Sequence, residues 1–235
     1  MMFQEYPMMT AEPKAHAALR RYLKEPVNSL THMLGAVLSL AGLAVLLVLS
    51  WGDPWKVVSF AVYGASGVLL YTASSLLHSI NASERTEHAL RRLDHAAIFV
   101  FIAGCYMPLA LIGLRPDYPV WAWVLFGGTW ALAAAGVTFK VFWFRAPRWL
   151  STALYLLMGW IALAAVYPLI MVLPPGALLW LMGCGLFYTV GAVFYALRWP
   201  LIRPGVFGYH ELWHLFVLAG SACHFVLMVV YLLPA

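Results

Sequence analysis

The chain has 235 residues, 14 basic and 9 acidic, so charged side chains make up only 10%, where a water-soluble domain carries roughly 25%. With 64% hydrophobic residues and a mean hydropathy of +0.85, there is too little charge to clothe a surface in water; an aromatic content of 15% excludes a disordered chain. A polytopic membrane protein remains, and the net charge of +5 belongs to a collar facing anionic headgroups rather than to a nucleic-acid surface.

In chain order, residues 1–25 read as a polar, cytoplasmic N-terminal segment without the apolar run of a cleavable signal peptide. Residues 26–235 read as one membrane domain. Apolar runs long enough to cross a bilayer fall at about 27–50, 57–80, 93–113, 119–139, 149–173, 176–197 and 208–233. Breaks such as Trp51-Gly52-Asp53-Pro54, Arg115-Pro116-Asp117 and Arg203-Pro204-Gly205 separate them. The fifth break, Pro174-Pro175-Gly176, carries no charge and is where a bent hairpin would lower the count. The runs are long and uniformly apolar, unlike the short alternating strands of a barrel, so the fold class is all-α with seven transmembrane helices.

Lys and Arg set the orientation. Lys14, Arg20, Arg21 and Lys24 precede the first span; the second, fourth and sixth loops hold Arg85, Arg91 and Arg92, then Lys140, Arg145 and Arg148, then Arg198 and Arg203. Only Lys56 and Arg115 fall on the other side. The positive-inside rule puts the N-terminus in the cytoplasm and the C-terminus outside. Trp121, Trp123, Trp143 and Trp149 are expected at the membrane interfaces. Gly127-Gly128 and Gly183-Cys184-Gly185 read as close helix packing. Cys105, Cys184 and Cys223 are odd in number and lack CxxC spacing, so they read as buried thiols.

Ionisable groups inside spans are costly and tend to be functional. His32, His78, Asp94, His95, His210 and His214 all lie near the same end of their spans, the inner-leaflet end, while His224 lies deeper. At 100° per residue, His210 and His214 differ by about 40° and share one helix face. Ser74 and His78 are likewise one turn apart. Two histidines at i, i+4 with a third from another helix form three neutral nitrogen ligands and leave a fourth position open, the pattern of catalytic zinc. For His32, His95 and His224, a polar contact between helices is the plainer reading. Asp94 can equally pair with Arg91 or Arg92, and Ser74 can bond back to its own helix.

The stretches Pro26-Val27-Asn28-Ser29-Leu30-Thr31-His32, Ser74-Ser75-Leu76-Leu77-His78-Ser79, Leu93-Asp94-His95-Ala96-Ala97-Ile98 and His210-Glu211-Leu212-Trp213-His214-Leu215-Phe216 resemble the hemolysin III proteins, the bacterial branch of the progestin and adiponectin receptor family. The resemblance implies seven helices with the N-terminus inside and a zinc ion near the cytoplasmic side of a bacterial plasma membrane. By matching positions, His78, His210 and His214 would be its ligands, Asp94 would hold the water there, and Ser74 would sit beside the site. Relatives of this type resemble membrane ceramidases, so hydrolysis of a lipid amide or ester is the implied reaction. A membrane lipid would then be the substrate.

Two other readings compete. His210-Glu211-x-x-His214 also satisfies the HExxH pattern of zinc proteases, with Glu211 as base, unless Glu211 meets an arginine of the neighbouring loop. Alternatively the protein is a receptor, sensor or channel whose zinc is structural. A pore would want a polar stripe through several spans, and these polar groups occupy one layer.

Overall fold

The computed structural model describes residues 13–143 and 146–235. The first twelve residues of the expected N-terminal segment, and Arg145 of the basic fourth loop, lie outside the described residues. The described chain is helical without a β-strand. A short α1 (Lys14–Leu19) precedes α2 (Pro26–Leu49), α3 (Pro54–Ser79), α4 (Glu84–Pro108), α5 (Pro119–Phe142), α6 (Arg148–Gly159), α7 (Val166–Val172), α8 (Pro175–Leu197) and α9 (Tyr209–Leu227). With α6 and α7 counted as one span, seven segments among the described residues are long and apolar enough to cross a membrane. This is an integral, multi-pass, all-α membrane protein.

Local chemistry explains the helix starts. Pro26, Pro54, Pro119 and Pro175 occupy first-turn positions, where the missing N–H costs nothing. The Asp53 carboxylate accepts from the main-chain N–H groups of Trp55 and Lys56, at 2.9 and 3.1 Å, and caps α3. Ser83 does the same for Thr86 at the start of α4. That cap extends the third span back to Glu84, well before its apolar run, so Arg85, Arg91 and Arg92 are helical rather than loop residues.

Among the described residues three spans depart from regular α geometry: α9 closes in a π turn over Met228–Leu232, and the other two carry an internal proline. Pro108 removes the N–H that Gly104 would accept, and α4 ends in a wide π turn over Leu109–Leu114. Pro168 does the same to Ala164, and a 3-10 stretch, Trp160–Ala165, links α6 to α7. The Tyr106 hydroxyl bridges this break, donating to the Gly159 carbonyl and accepting from the Ala162 N–H at 3.1 Å.

The largest core cluster centres on α4 and its π turn and includes Phe60, Tyr71, Leu109, Leu114, Leu227 and Met228. The closest helix approaches occur at glycines the sequence did not single out. A Cβ on Gly35 would lie 2.5 Å from the Tyr71 ring, and one on Gly191 would lie 2.5 Å from Phe216. Gly127 and Gly128, by contrast, have nothing within 4 Å, so the expectation that they pack helices is wrong. They face outward from α5, and a small-residue pair does not by itself reveal which face is covered. Gly185 does pack, against the Trp160 ring.

The basic loops gather at one end of the bundle. At the opposite end, Lys56 donates to the Leu233 carbonyl at 3.0 Å and Arg115 lies 4.0 Å over the Trp55 ring. Trp121, Trp123, Trp143 and Trp149 are exposed at the ends of α5 and α6, as an interfacial belt requires.

Candidate metal centre

Three helices bring their polar residues together at the basic end. His78 comes from the last turn of α3, Asp94 from α4, and His210 and His214 from the first two turns of α9. The i, i+4 spacing turns the two α9 rings to one side, where their centroids lie 4.9 Å apart and each sits 5.0 Å from the His78 ring. The candidate ligand atoms of the three histidines all lie within 4.8 Å of one another. His78 and His214 are buried, and His210 nearly so.

Hydrogen bonding shows whether such a set fits a metal. Glu25, immediately before α2, holds Nδ1 of His78 at 2.8 Å and so leaves Nε2 as the atom open to a ligand role. A carboxylate on the far nitrogen of a histidine is a common support for metal ligation, because it fixes the ring and raises its basicity. Nδ1 of His214 is buried beside the Asn28 carbonyl without reaching hydrogen-bond geometry, and three clustered imidazoles are a donor set that a metal ion fits. The buried His78, His210 and His214 group can therefore hold a metal ion.

Asp94 faces the Ser74 hydroxyl and the His78 ring, with Arg91 one turn earlier on α4. Arg91 is itself held by Glu87 at 2.8 Å, and Glu87 also receives Lys24 at 2.9 Å. Asp94 thus has Ser74, His78 and Arg91 as neighbours together. Ser74 is buried and lines the same cavity.

Sequence reasoning missed several neighbours. Glu25 reads as one charge in a polar tail, yet the main chain there is pinned to α3: the Lys24 N–H donates to the Ser79 carbonyl and the Glu25 N–H to that of His78. Burial pushes the Glu25 carboxyl up. The hydrogen bond and charge of His78, with a further bond from Asn28, outweigh this and bring it down to about 2. The Asn28 amide also donates to Glu211 at 2.9 Å. Glu211 accepts the Gly208 N–H at 2.8 Å through its other oxygen, so it caps α9 rather than meeting an arginine or presenting a base. His32 stacks on His214, with centroids 3.6 Å apart and planes 14° from parallel. Lys140, grouped by sequence with the loop cations, is buried and donates to Ser151.

A cavity of about 710 Å³ runs from this cluster into the bundle. Its polar end holds the three histidines, Asp94 and Ser74, while Leu70, Ile98, Phe101, Leu109, Leu178 and Leu181 make much of its deeper wall. Leu163, Val166 and Ile170 of the α6–α7 segment line it as well and are about half exposed on the outer surface.

A family model described as Haemolysin-III related matches residues 20–225. The chain belongs to that family. Hemolysin-3 of Bacillus cereus is 39% identical over 219 residues, covering 92% of this chain and 95% of its own. A Hemolysin-3 homolog of Bacillus subtilis is 38% identical, over 88% of this chain and 94% of its own. More distantly, the human monocyte to macrophage differentiation factor is 28% identical over 87% of this chain. Membership of the Haemolysin-III related family agrees with the resemblance seen in the four polar stretches, all of which fall within the matched residues.

Proposed function

We propose that the protein is a zinc-dependent hydrolase of lipid amide or ester bonds, lying in a bacterial plasma membrane with its basic end and residues 1–25 in the cytoplasm. One observation carries this reading: three histidines converge at the polar end of a cavity whose deeper walls are apolar. That shape suits an amphiphile with its reacting bond at the histidines and its hydrocarbon beyond. His78, His210 and His214 would hold the Zn2+, which when bound acidifies water and polarises a carbonyl.

The chain's own residues supply the rest. Asp94 accepts the proton from the attacking water and returns it to the leaving group, which its place beside Ser74 and His78 permits. Ser74 donates a hydrogen bond to the oxygen on which negative charge develops. Glu25 fixes the orientation of His78. The apolar wall excludes bulk water, so these dipoles act at low dielectric. Glu211 spends both oxygens on Asn28 and the α9 cap, which weighs against the HExxH protease reading.

Purified protein incubated with long-chain lipid amides is expected to release free fatty acid. Asp94→Asn is expected to lower the rate by about 100- to 10,000-fold, the usual range for loss of a general base, while zinc content stays unchanged. Wild-type release no higher than that of Asp94→Asn would overturn the reading. The names of the Bacillus relatives favour a second reading, a membrane-lytic protein, in which any metal at the histidines would be structural. Dye leakage from liposomes that a chelator does not diminish would support it.

A further inference from the structure

In the deep half of the cavity the polar groups have almost all found partners. The Ser221 hydroxyl is bonded by Tyr71 at 2.6 Å and Tyr188 at 3.0 Å. Thr189 donates to the Gly185 carbonyl and accepts from the Trp160 ring N–H. Tyr106 bridges the α6–α7 break. His224 is different. It is 2% exposed and lines the cavity, yet neither Nδ1 nor Nε2 has a hydrogen-bond partner. The Tyr63 ring lies 5.1 Å away, tilted by 44°. The Cys105 carbonyl is turned toward the imidazole without reaching hydrogen-bond geometry.

Leaving a buried polar group unpaired is costly, so such a ring is normally satisfied by something that enters the space it faces. A neutral imidazole presents one donor and one acceptor. If the N–H settles toward the Cys105 carbonyl, the remaining nitrogen is an acceptor and calls for an O–H or N–H. If it does not, a hydroxyl still satisfies either nitrogen. His224 stands ten residues beyond His214 on α9, which at 1.5 Å per residue is about 15 Å deeper. The cavity accompanies α9 over that length, touching Trp213, His214, Val217 and His224.

We infer that His224 is a specificity station for an amphiphile that carries a hydroxyl partway along its hydrocarbon, about 15 Å from the group held at the histidine cluster. The inference rests on reading the cavity as a lipid site but does not require turnover. The far wall then does more than accommodate an acyl chain: it selects among chains by the position of one polar atom. A site built to pair a hydroxyl discriminates against the chain that lacks it, because the unsatisfied imidazole stays buried.

The test is binding to the full-length, zinc-loaded protein in nanodiscs, with two probes matched in length: an N-acyl amide bearing a secondary hydroxyl about 15 Å from the amide, and the same amide without it. Wild type is expected to bind the hydroxylated probe about tenfold more tightly, in line with one buried hydrogen bond. His224→Phe is expected to remove the preference while leaving affinity for the plain amide within about twofold, and His224→Gln to restore part of it. Equal wild-type affinities for the two probes would overturn the inference, as they would if a lone water satisfied the ring. A preference that survives His224→Phe would overturn it as well. The wild-type comparison decides the matter even if that variant fails to fold. Fatty acid release, measured separately, distinguishes the hydrolase reading: a preference without turnover sinks that reading alone, and turnover without a preference sinks this one alone.

Discussion

The two sides of the cavity are built differently. On one side stand α3 and α4, with 56% and 78% of their apolar windows buried; on the other stand the α6–α7 span and α8, at 22% each. The first side provides His78, Ser74 and Asp94 and is continuous with the main core through Phe60, Tyr71 and Phe101. The second is interrupted by the 3-10 stretch at Trp160–Ala165 and presents Leu163, Val166 and Ile170 both to the cavity and to the exterior. A site that must hold several groups within hydrogen-bond tolerance needs a rigid wall. A lipid that arrives from the bilayer needs a wall that can part. The division of labour between tight and loose helices meets both needs in one bundle.

If the three histidines, one from the tight side and two from α9 beside it, hold a metal, damage there should be severe. His210→Ala combined with His214→Ala removes two of three donors and is expected to abolish bound zinc, read by elemental analysis of the purified protein against wild type. Retained zinc would mean that the cluster is not the metal site, and the contrast between the walls would lose its functional sense. Glu25→Ala is expected to be milder. Losing a carboxylate behind a ligating histidine typically weakens metal binding by about 10- to 100-fold. Competition with a chelator would measure this, and Glu25→Asp should recover part of the loss. On the loose side, Ile170→Trp should leave zinc affinity unchanged and slow lipid hydrolysis several-fold by blocking passage between α7 and α8. An unaffected rate would place the access route elsewhere.

Much of this arrangement was legible beforehand, and the misses have physical causes. The seven spans follow from hydropathy, because lipid tolerates only helices and closed barrels, and the runs are too long and uniformly apolar for barrel strands. His210 and His214 declare themselves by spacing on one helix. The approach of His78 and Asp94 could be expected from depth, since four spans place their polar residues at one end. Glu25 gave no such signal: a glutamate among lysines and arginines looks like any tail charge, and only the return of the main chain against Ser79 and His78 brings it to the site. Arg91 and Arg92 read as loop residues because charge ends an apolar run, whereas the Ser83 cap carries α4 on beyond it. Lys140 was misjudged for the opposite reason, since a cation at a helix end can turn inward when a hydroxyl such as that of Ser151 awaits it.

The smallest expected effects lie in the glycines, and they test the packing contrast without touching the site. Gly35 sits against Tyr71, which is itself almost wholly buried, so an added methyl must displace a ring that has nowhere to go. Gly35→Ala should cost about 1–3 kcal/mol, the usual range for overpacking. Gly127 is also helical but meets open space, and there the methyl clashes with nothing while restricting the unfolded backbone. Gly127→Ala should therefore stabilise by about 0.5–1 kcal/mol. Thermal unfolding in one detergent, followed for both variants and wild type, would read the two shifts with opposite signs. Shifts of the same sign would show that α5 packs against a surface through Gly127 after all, and that the outward face of this helix is not lipid-facing.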